Sequence, residues 1–437
     1  ARYGHGLGVE MCALPIFLCS VYRVFDGCLR TDRHGVCFSV VVVFCCGCCA
    51  MGCSGRTGDD AVAPPCLAAG GGKLMHPLAP VGTLFAVTVW PLLAAFLLLM
   101  TPPGRQAVSS RTFAIAGALM TPVAVWLMPG ADALAAACSC VVAVMPLLLP
   151  PAGDRVGRIL PFLVTGCALM ALNVHSAFAV TVLCGAGTVL WAWREGRGAQ
   201  KATIVWDMAR SRLGGVILGV LGASLLSMDQ SPLGPVLLTV GLCMMAGLGP
   251  SPVPEPDAVL LDTGLRFAAV LLMLRLDGHP LVHILVLVAG FGTLIMRMAG
   301  QSRGRGVFLP ILSSLGAIAA AVGEGSAIVL LLVASVGLAV LERQNDGRRY
   351  EIVAAGVAPW PVFCALLAIG RSLEPLLLML MIVCLLPGLR QVRLAGLMPS
   401  GLSLKGGMVP AVEAVLLLVG LCGPTLLARH PAPGWRP

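Results

Sequence analysis

Fourteen apolar runs follow one another between residues 80 and 428, most of them approaching twenty residues. A helix of about twenty apolar residues matches a hydrocarbon layer of about 30 Å. Lipid offers no partner to an open backbone N–H or C=O, so such runs must be helices. A membrane barrel would instead show alternating stretches of about ten residues. The composition agrees: 58% hydrophobic, 11% charged and a mean hydropathy of +0.94, where a soluble domain is about a quarter charged. The expected fold is an all-α polytopic membrane protein, with the lipid bilayer as its solvent. The formal charge of +9 does not require nucleic acid, because basic loops on one membrane face account for it.

Cut at charges, Gly and Pro, the runs are 80–101, 112–128, 132–150, 158–173, 175–193, 213–228, 233–249, 257–276, 280–297, 307–323, 325–341, 352–370, 374–389 and 408–428. Loop charge tests this count. The odd loops hold eighteen basic residues, including Arg155, Arg197, Lys201, Arg210, Arg212, Arg297 and Arg343, and the even loops hold only Arg275 and Arg371. That asymmetry puts the odd loops in the cytoplasm, and both ends of the helical core, residues 75–437, on the other side. A bacterial inner membrane is the expected location.

The first 74 residues differ. They hold ten of the 18 Cys, five of them packed into Cys45–Cys53 within a short apolar stretch. No zinc-like spacing appears among them. An extra membrane segment or a palmitoylated one is one reading. The other is a mis-called N-terminus: Ala13-Leu14-Pro15-Ile16 is the translation of GCTCTTCCGATC, common in library adapters, and Met75 precedes the first strong run. Fold reasoning therefore starts at residue 75.

Two runs are punctuated by proline. GLCMMAGLGPSPVPEPDA, from Gly241 to Ala258, carries Pro250, Pro252, Pro254 and Pro256, then Asp257, with no basic residue beside them. The twelfth run holds Pro359 and Pro361. Proline removes a donor and interrupts a helix, and membranes tolerate this where protein or water satisfies the freed groups. Transporters use such breaks to present helix ends to ions.

The landmarks on these runs resemble a known family. Its motif K-A-G-L-x-P-L-H-x-W-L-P-D-A compares with Met245-Ala246-Gly247-Leu248-Gly249-Pro250, followed by Pro256-Asp257-Ala258. Leu312-Ser313-Ser314 in the tenth run resembles its Y-S-S, and Ala355–Phe363 in the twelfth resembles its A-G-L-P-P-F-G-x-F. Trp206, after a basic loop, stands where the family reads A-W-K-Y. The chain thus resembles, over roughly residues 80–428, the antiporter-like membrane subunits of complex I, group 4 hydrogenases and Mrp antiporters, most of all the F-type membrane component of hydrogenase-4. The resemblance implies broken seventh and twelfth helices, other membrane subunits as partners and no cofactor of its own. It also implies proton passage along buried Glu and Lys.

That relay is missing from this sequence. Residues 176–193 hold no acid, Met245 stands at the lysine position of the seventh helix, and 325–341 and 352–370 lack the family's His and Lys. The charges left inside runs are Arg266 and Glu413. Arg266 can pair with Asp262 one turn earlier, or snorkel to the cytoplasmic interface, the reading favoured here. Glu413 is expected at an interface. No Walker loop, HExxH or nucleophile elbow is present, and no metal site is expected. Gly215 and Gly219 read as a close-packing pair. The expectation is a structural membrane subunit of a hydrogenase or quinone oxidoreductase complex, at most non-catalytic itself. The alternative is an independent transporter whose acidic break could hold a cation.

The charge asymmetry gives a direct test. Single cysteines placed at Lys201 and Gln230 should label from opposite faces of the membrane, and labelling from one face would end the fourteen-helix arrangement.

Overall fold

The computed structural model describes residues 79–102, 104–127, 132–149, 153–197, 199–227, 233–249, 256–276, 280–299, 308–343, 353, 360–391, 412 and 414–421. Thirteen helices account for nearly all of them: α1 (Ala79–Met100), α2 (Gln106–Leu127), α3 (Ala133–Leu148), α4 (Arg155–Asn173), α5 (Ala177–Glu195), α6 (Ala199–Ser227), α7 (Leu233–Met245), α8 (Pro256–Arg275), α9 (Pro280–Ala299), α10 (Phe308–Ala321), α11 (Gly325–Arg343), α12 (Pro361–Ser372) and α13 (Pro375–Gln391). Residues 414–421 are helical too. Each helix falls on one of the expected runs, and 414–421 falls within the fourteenth. Five are long and apolar enough to cross a membrane: those over 106–125, 155–173, 177–195, 202–227 and 325–343. With its composition and the apolar side chains on its periphery, among them Leu119, Val288, Leu376 and Val383, the chain is an integral membrane protein. The readings of residues 1–74 and of Pro250, Pro359 and Glu413 lie outside the described residues.

Several helices start on caps visible in the sequence. The carboxylates of Asp132 and Asp154 accept backbone N–H bonds from Leu134 and Gly157, and the Ser176 hydroxyl accepts one from Ala179. Each satisfies a donor that a helix start leaves open.

Ties across helix ends preserve the alternation of loops. At one end, Arg155 donates to the Leu99 carbonyl, Arg197 pairs with Asp154, Arg343 donates to Leu148 O at 2.8 Å and Arg297 to Gly249 O at 3.2 Å. All of these join odd loops. At the other end, Arg275 reaches Asp132 at 2.8 Å and the carbonyls of Leu172 and Val174, His283 Nδ1 sits 3.0 Å from Ala321 O, and Ser372 bonds Glu324. All of these join even loops. The described helices therefore run alternately up and down, with most of the described basic residues towards one end of the bundle.

Burial pushes the Asp132 carboxyl up, but the hydrogen bond and charge of Arg275, with the backbone donors, outweigh that and hold it below its ordinary value.

Two packing features position the interior. Helix α8 is central: every residue from Val259 to Met273 is buried, between α3, α4, α5, α7, α10 and α11. Helices α6 and α7 meet backbone to backbone. A Cβ on Gly222 would lie 2.2 Å from the Leu238 nitrogen, and one on Gly241 would lie 2.5 Å from the Gly219 nitrogen. The Gly215–Gly219 pair does the close packing its spacing suggests.

Among the boundaries that depart from expectation, three bear on the interior and the breaks. Helix α6 starts at Ala199, not 213, so Lys201, Arg210 and Arg212 are helical residues. Helix α7 stops at Met245, four residues before its expected end. Val353 is helical, but Trp360 is extended and caps a helix that starts at Pro361, with proline in the first turn, where its missing N–H costs nothing.

Because the atoms opposing Gly222 are backbone, they cannot yield as a flexible side chain would. Gly222→Ala should lower stability in detergent by about 1–3 kcal/mol, the usual cost of overpacking. Gly292→Ala, where nothing lies within 4 Å of the new carbon, should change little. Equal melting temperatures for both variants would show that α6 and α7 are not in such close contact.

Candidate functional site

Helix α7 is 13 residues long, about 20 Å at 1.5 Å per residue, which is short of the hydrocarbon layer. It ends in a Schellman arrangement. Gly247 N–H bonds Met244 O at 3.1 Å, Leu248 N–H bonds Cys243 O at 3.0 Å, and Gly247 takes φ +74°, a conformation glycine adopts without a Cβ clash. Glycine thus ends this helix before Pro250 is reached.

The end is held from two neighbours. On α9, Thr293 Oγ1 accepts from Gly249 N–H at 2.8 Å, and Arg297 donates to Gly249 O. On α8, the Arg266 guanidinium packs on Gly247, its Cζ 3.2 Å from where a Cβ would stand. A cation at a helix C-terminus is favourably placed against the helix dipole.

Arg266 belongs to a buried three-charge cluster. Its Nε donates to Asp262 Oδ2 at 2.5 Å, one turn back on α8. The same carboxylate accepts two bonds from Arg212 of α6, one to each oxygen. The Arg212 guanidinium also lies over the Trp191 ring of α5, 5.0 Å from its centroid, a cation–π contact. Asp262 is 0% exposed and both arginines 3%. By helical rise, Asp262 is about 9 Å and Arg266 about 15 Å along an α8 of about 30 Å, so the cluster is well inside the bundle. Among the described residues Asp262 is the one acidic partner of both arginines, leaving one net positive charge.

The sequence-derived candidates divide accordingly. Arg266 does not snorkel to an interface: its pairing with Asp262 prevails because α8 is enclosed by other helices on every side. Pro256 opens α8, and Asp257 follows in its first turn. Met245 is the last residue of α7 and 3% exposed. Its Cε lies 3.3 Å, and Thr181 Cγ2 of α5 lies 2.9 Å, from where a Gly219 Cβ would be. A thioether and a methyl thus converge where α5, α6 and α7 meet.

Cutting the chain by apolar runs leaves Arg212 among the loop bases and misses its role. A signal exists in the sequence: residues 199–213 contain no Gly or Pro, so nothing in them stops a helix from starting early. Among the described residues no group of three His, Cys, Asp or Glu converges as metal ligands would.

No protein-family model matches the chain, and no curated protein matches its sequence. Solved structures do share its fold. A chain of respiratory complex I from Thermus thermophilus, solved with bound aureothin, superposes with a TM-score of 0.64 at 16% identity, covering 79% of this chain and 98% of that one. The membrane-bound sulfane sulfur reductase, an archaeal respiratory membrane complex, gives 0.57 at 12% identity, covering 79% and 95%. The Mrp complex from Dietzia sp. DQ12-45-1b gives 0.51 at 15% identity, covering 80% of this chain and 49% of that one. The chain therefore shares the fold of these membrane-complex chains.

One partner serving two buried cations is a vulnerable arrangement. Asp262→Asn would leave two guanidiniums without an acid, and breaking such a buried pair typically costs about 3–5 kcal/mol. Its unfolding midpoint in detergent should fall sharply, whereas Arg266→Gln, which keeps the Arg212–Asp262 pair, should cost less. An Asp262→Asn protein as stable as the wild type would show that the cluster contributes no cohesion.

Proposed function

We propose that this chain is a membrane subunit of a respiratory-type complex, most like those of hydrogenase-4, and that it packs among partner subunits rather than relaying protons. Support comes from the meeting of α5, α6 and α7. There the chain sets buried Met245 beside Thr181, two side chains that neither take up nor release a proton near neutral pH. The family it resembles would hold a lysine and an acid on these helices. The fold shared with complex I, sulfane sulfur reductase and Mrp chains supports the reading of a subunit among other membrane subunits. On this reading the chain uses no cofactor of its own, and both ends of its helical core face away from the cytoplasm of a bacterial cell.

Reconstituted wild-type protein should show no pH-gradient decay above that of empty liposomes under an imposed potential. Met245→Lys should lower yield, because a lone charge buried in a membrane bundle costs up to about 2.5–3.5 kcal/mol on insertion scales, and should create no transport. Native electrophoresis after mild solubilisation should show comigration with other membrane chains. Proton flux through the unmodified protein would overturn the non-relaying assignment, and solitary migration would favour an independent transporter.

A further inference from the structure

We infer that the Arg212–Asp262–Arg266 cluster is an electrostatic barrier that keeps the interior of this helix bundle impermeable to protons and cations. The inference rests on the non-relaying role proposed above and assigns the residues that maintain it.

The place where a barrier is needed is the end of α7. That helix stops among buried residues, and although the Schellman bonds engage the Cys243 and Met244 carbonyls, the helix dipole still places partial negative charge at the stop, which attracts water and cations. Arg266 lies directly on the stop, its guanidinium against Gly247. Arg297 covers the adjoining turn through the Gly249 carbonyl. A free cation approaching this end meets fixed positive charge where it would otherwise find carbonyl oxygen.

The charge cannot be dissipated by proton exchange. Arginine does not give up its proton in proteins. Two guanidiniums against one carboxylate leave a net positive charge when Asp262 is ionised, and a larger one if it is protonated. With both arginines protonated, the cluster is positive whether Asp262 is ionised or not, so it repels an approaching proton in either state. A fixed arginine in a narrow apolar passage is a recognised way to exclude protons and cations. Burial strengthens the effect, because exposure of 0–3% leaves little water to screen the field.

The neighbouring contacts hold the charge in place. Asp262 takes two bonds from Arg212, Trp191 covers the Arg212 guanidinium, and Arg266 is tied to Asp262 through Nε. Three helices, α5, α6 and α8, thus hold the two cations around Asp262, with Arg266 on the α7 end. Asp262 orients the arginines and offsets half their charge, leaving the remainder beside the break.

The barrier depends on charge count rather than on either arginine alone, and this separates it from a general packing role. In potential-driven proteoliposomes carrying a trapped pH dye, wild-type full-length protein should be tight. Arg266→Gln and Arg212→Gln each make the cluster neutral, and either should raise proton flux about thirtyfold, the effect of one unit charge at about 8 Å with an effective dielectric constant near 20. Arg266→Gln combined with Asp262→Asn restores one net positive charge and should return flux to the wild-type level, although it disturbs packing more than either single change. Since each arginine removes the charge independently, one folded single variant suffices. Neutral variants as tight as the wild type would overturn the barrier and leave the proposed function standing. A double variant as leaky as the singles would also overturn it. Flux through the wild type would overturn both.

Discussion

A single carboxylate, Asp262, holds two guanidiniums from different helices in a buried space, and much of the architecture can be traced to that requirement. Charge inside a helical membrane bundle has to be enclosed by protein. Helix α8 is enclosed, buried from Val259 to Met273, and so can carry Asp262 and Arg266. Arg212 reaches the same carboxylate because α6 continues as helix from Ala199. Arg266 has room because α7 stops and the backbone of Gly247 lies against its guanidinium. A longer α7, or an α6 starting at residue 213, would put different atoms at these points.

The order of the helices is legible because each is an apolar run bounded by polar or turn residues, and lipid permits few other structures for such a run. Their alternation is legible because basic residues segregate by loop. The ties across helix ends follow the same alternation, joining odd loops with odd and even with even, as in Arg343 to Leu148 and Arg275 to Asp132. The caps at Asp132, Asp154 and Ser176 follow from residue types that favour helix starts.

The charged interior is less legible for a definite reason. Reading runs one at a time treats an arginine just outside an apolar stretch as a loop residue, so Arg212 falls with the loops although the segment before it favours helix. Arg266 is expected at an interface because hydropathy alone does not reveal which helix lies in the middle of the bundle. Spacing identifies Asp262 as a partner on its own helix. That it serves a second arginine, fifty residues away in sequence, is information only tertiary packing supplies. The α7 end follows the same logic: the prolines mark the break, but Gly247, with its positive φ, sets where it falls.

The absence of a basic residue beside the proline-rich break acquires a physical account in this arrangement. The end of α7 does have cations, supplied in space by α8 and α9 rather than in sequence by its own loop. Arg266 rests on Gly247, and Arg297 reaches the Gly249 carbonyl. A helix terminus inside a membrane is a site of partial negative charge, and in a transporter that charge is left for a mobile ion to meet. Here tethered guanidiniums meet it. A tethered ion differs from a mobile one in its freedom to leave: it satisfies the helix end permanently and has no second position on the far side of the bundle. The scaffold can therefore retain a broken helix, with the turn and packing that go with it, while the feature that makes such a break useful for transport is occupied by the chain's own side chains. The want of an acid in residues 176–193 and of a lysine at Met245, and the arginine at the end of α7, point the same way under the proposed function: an interior whose charges are fixed in place.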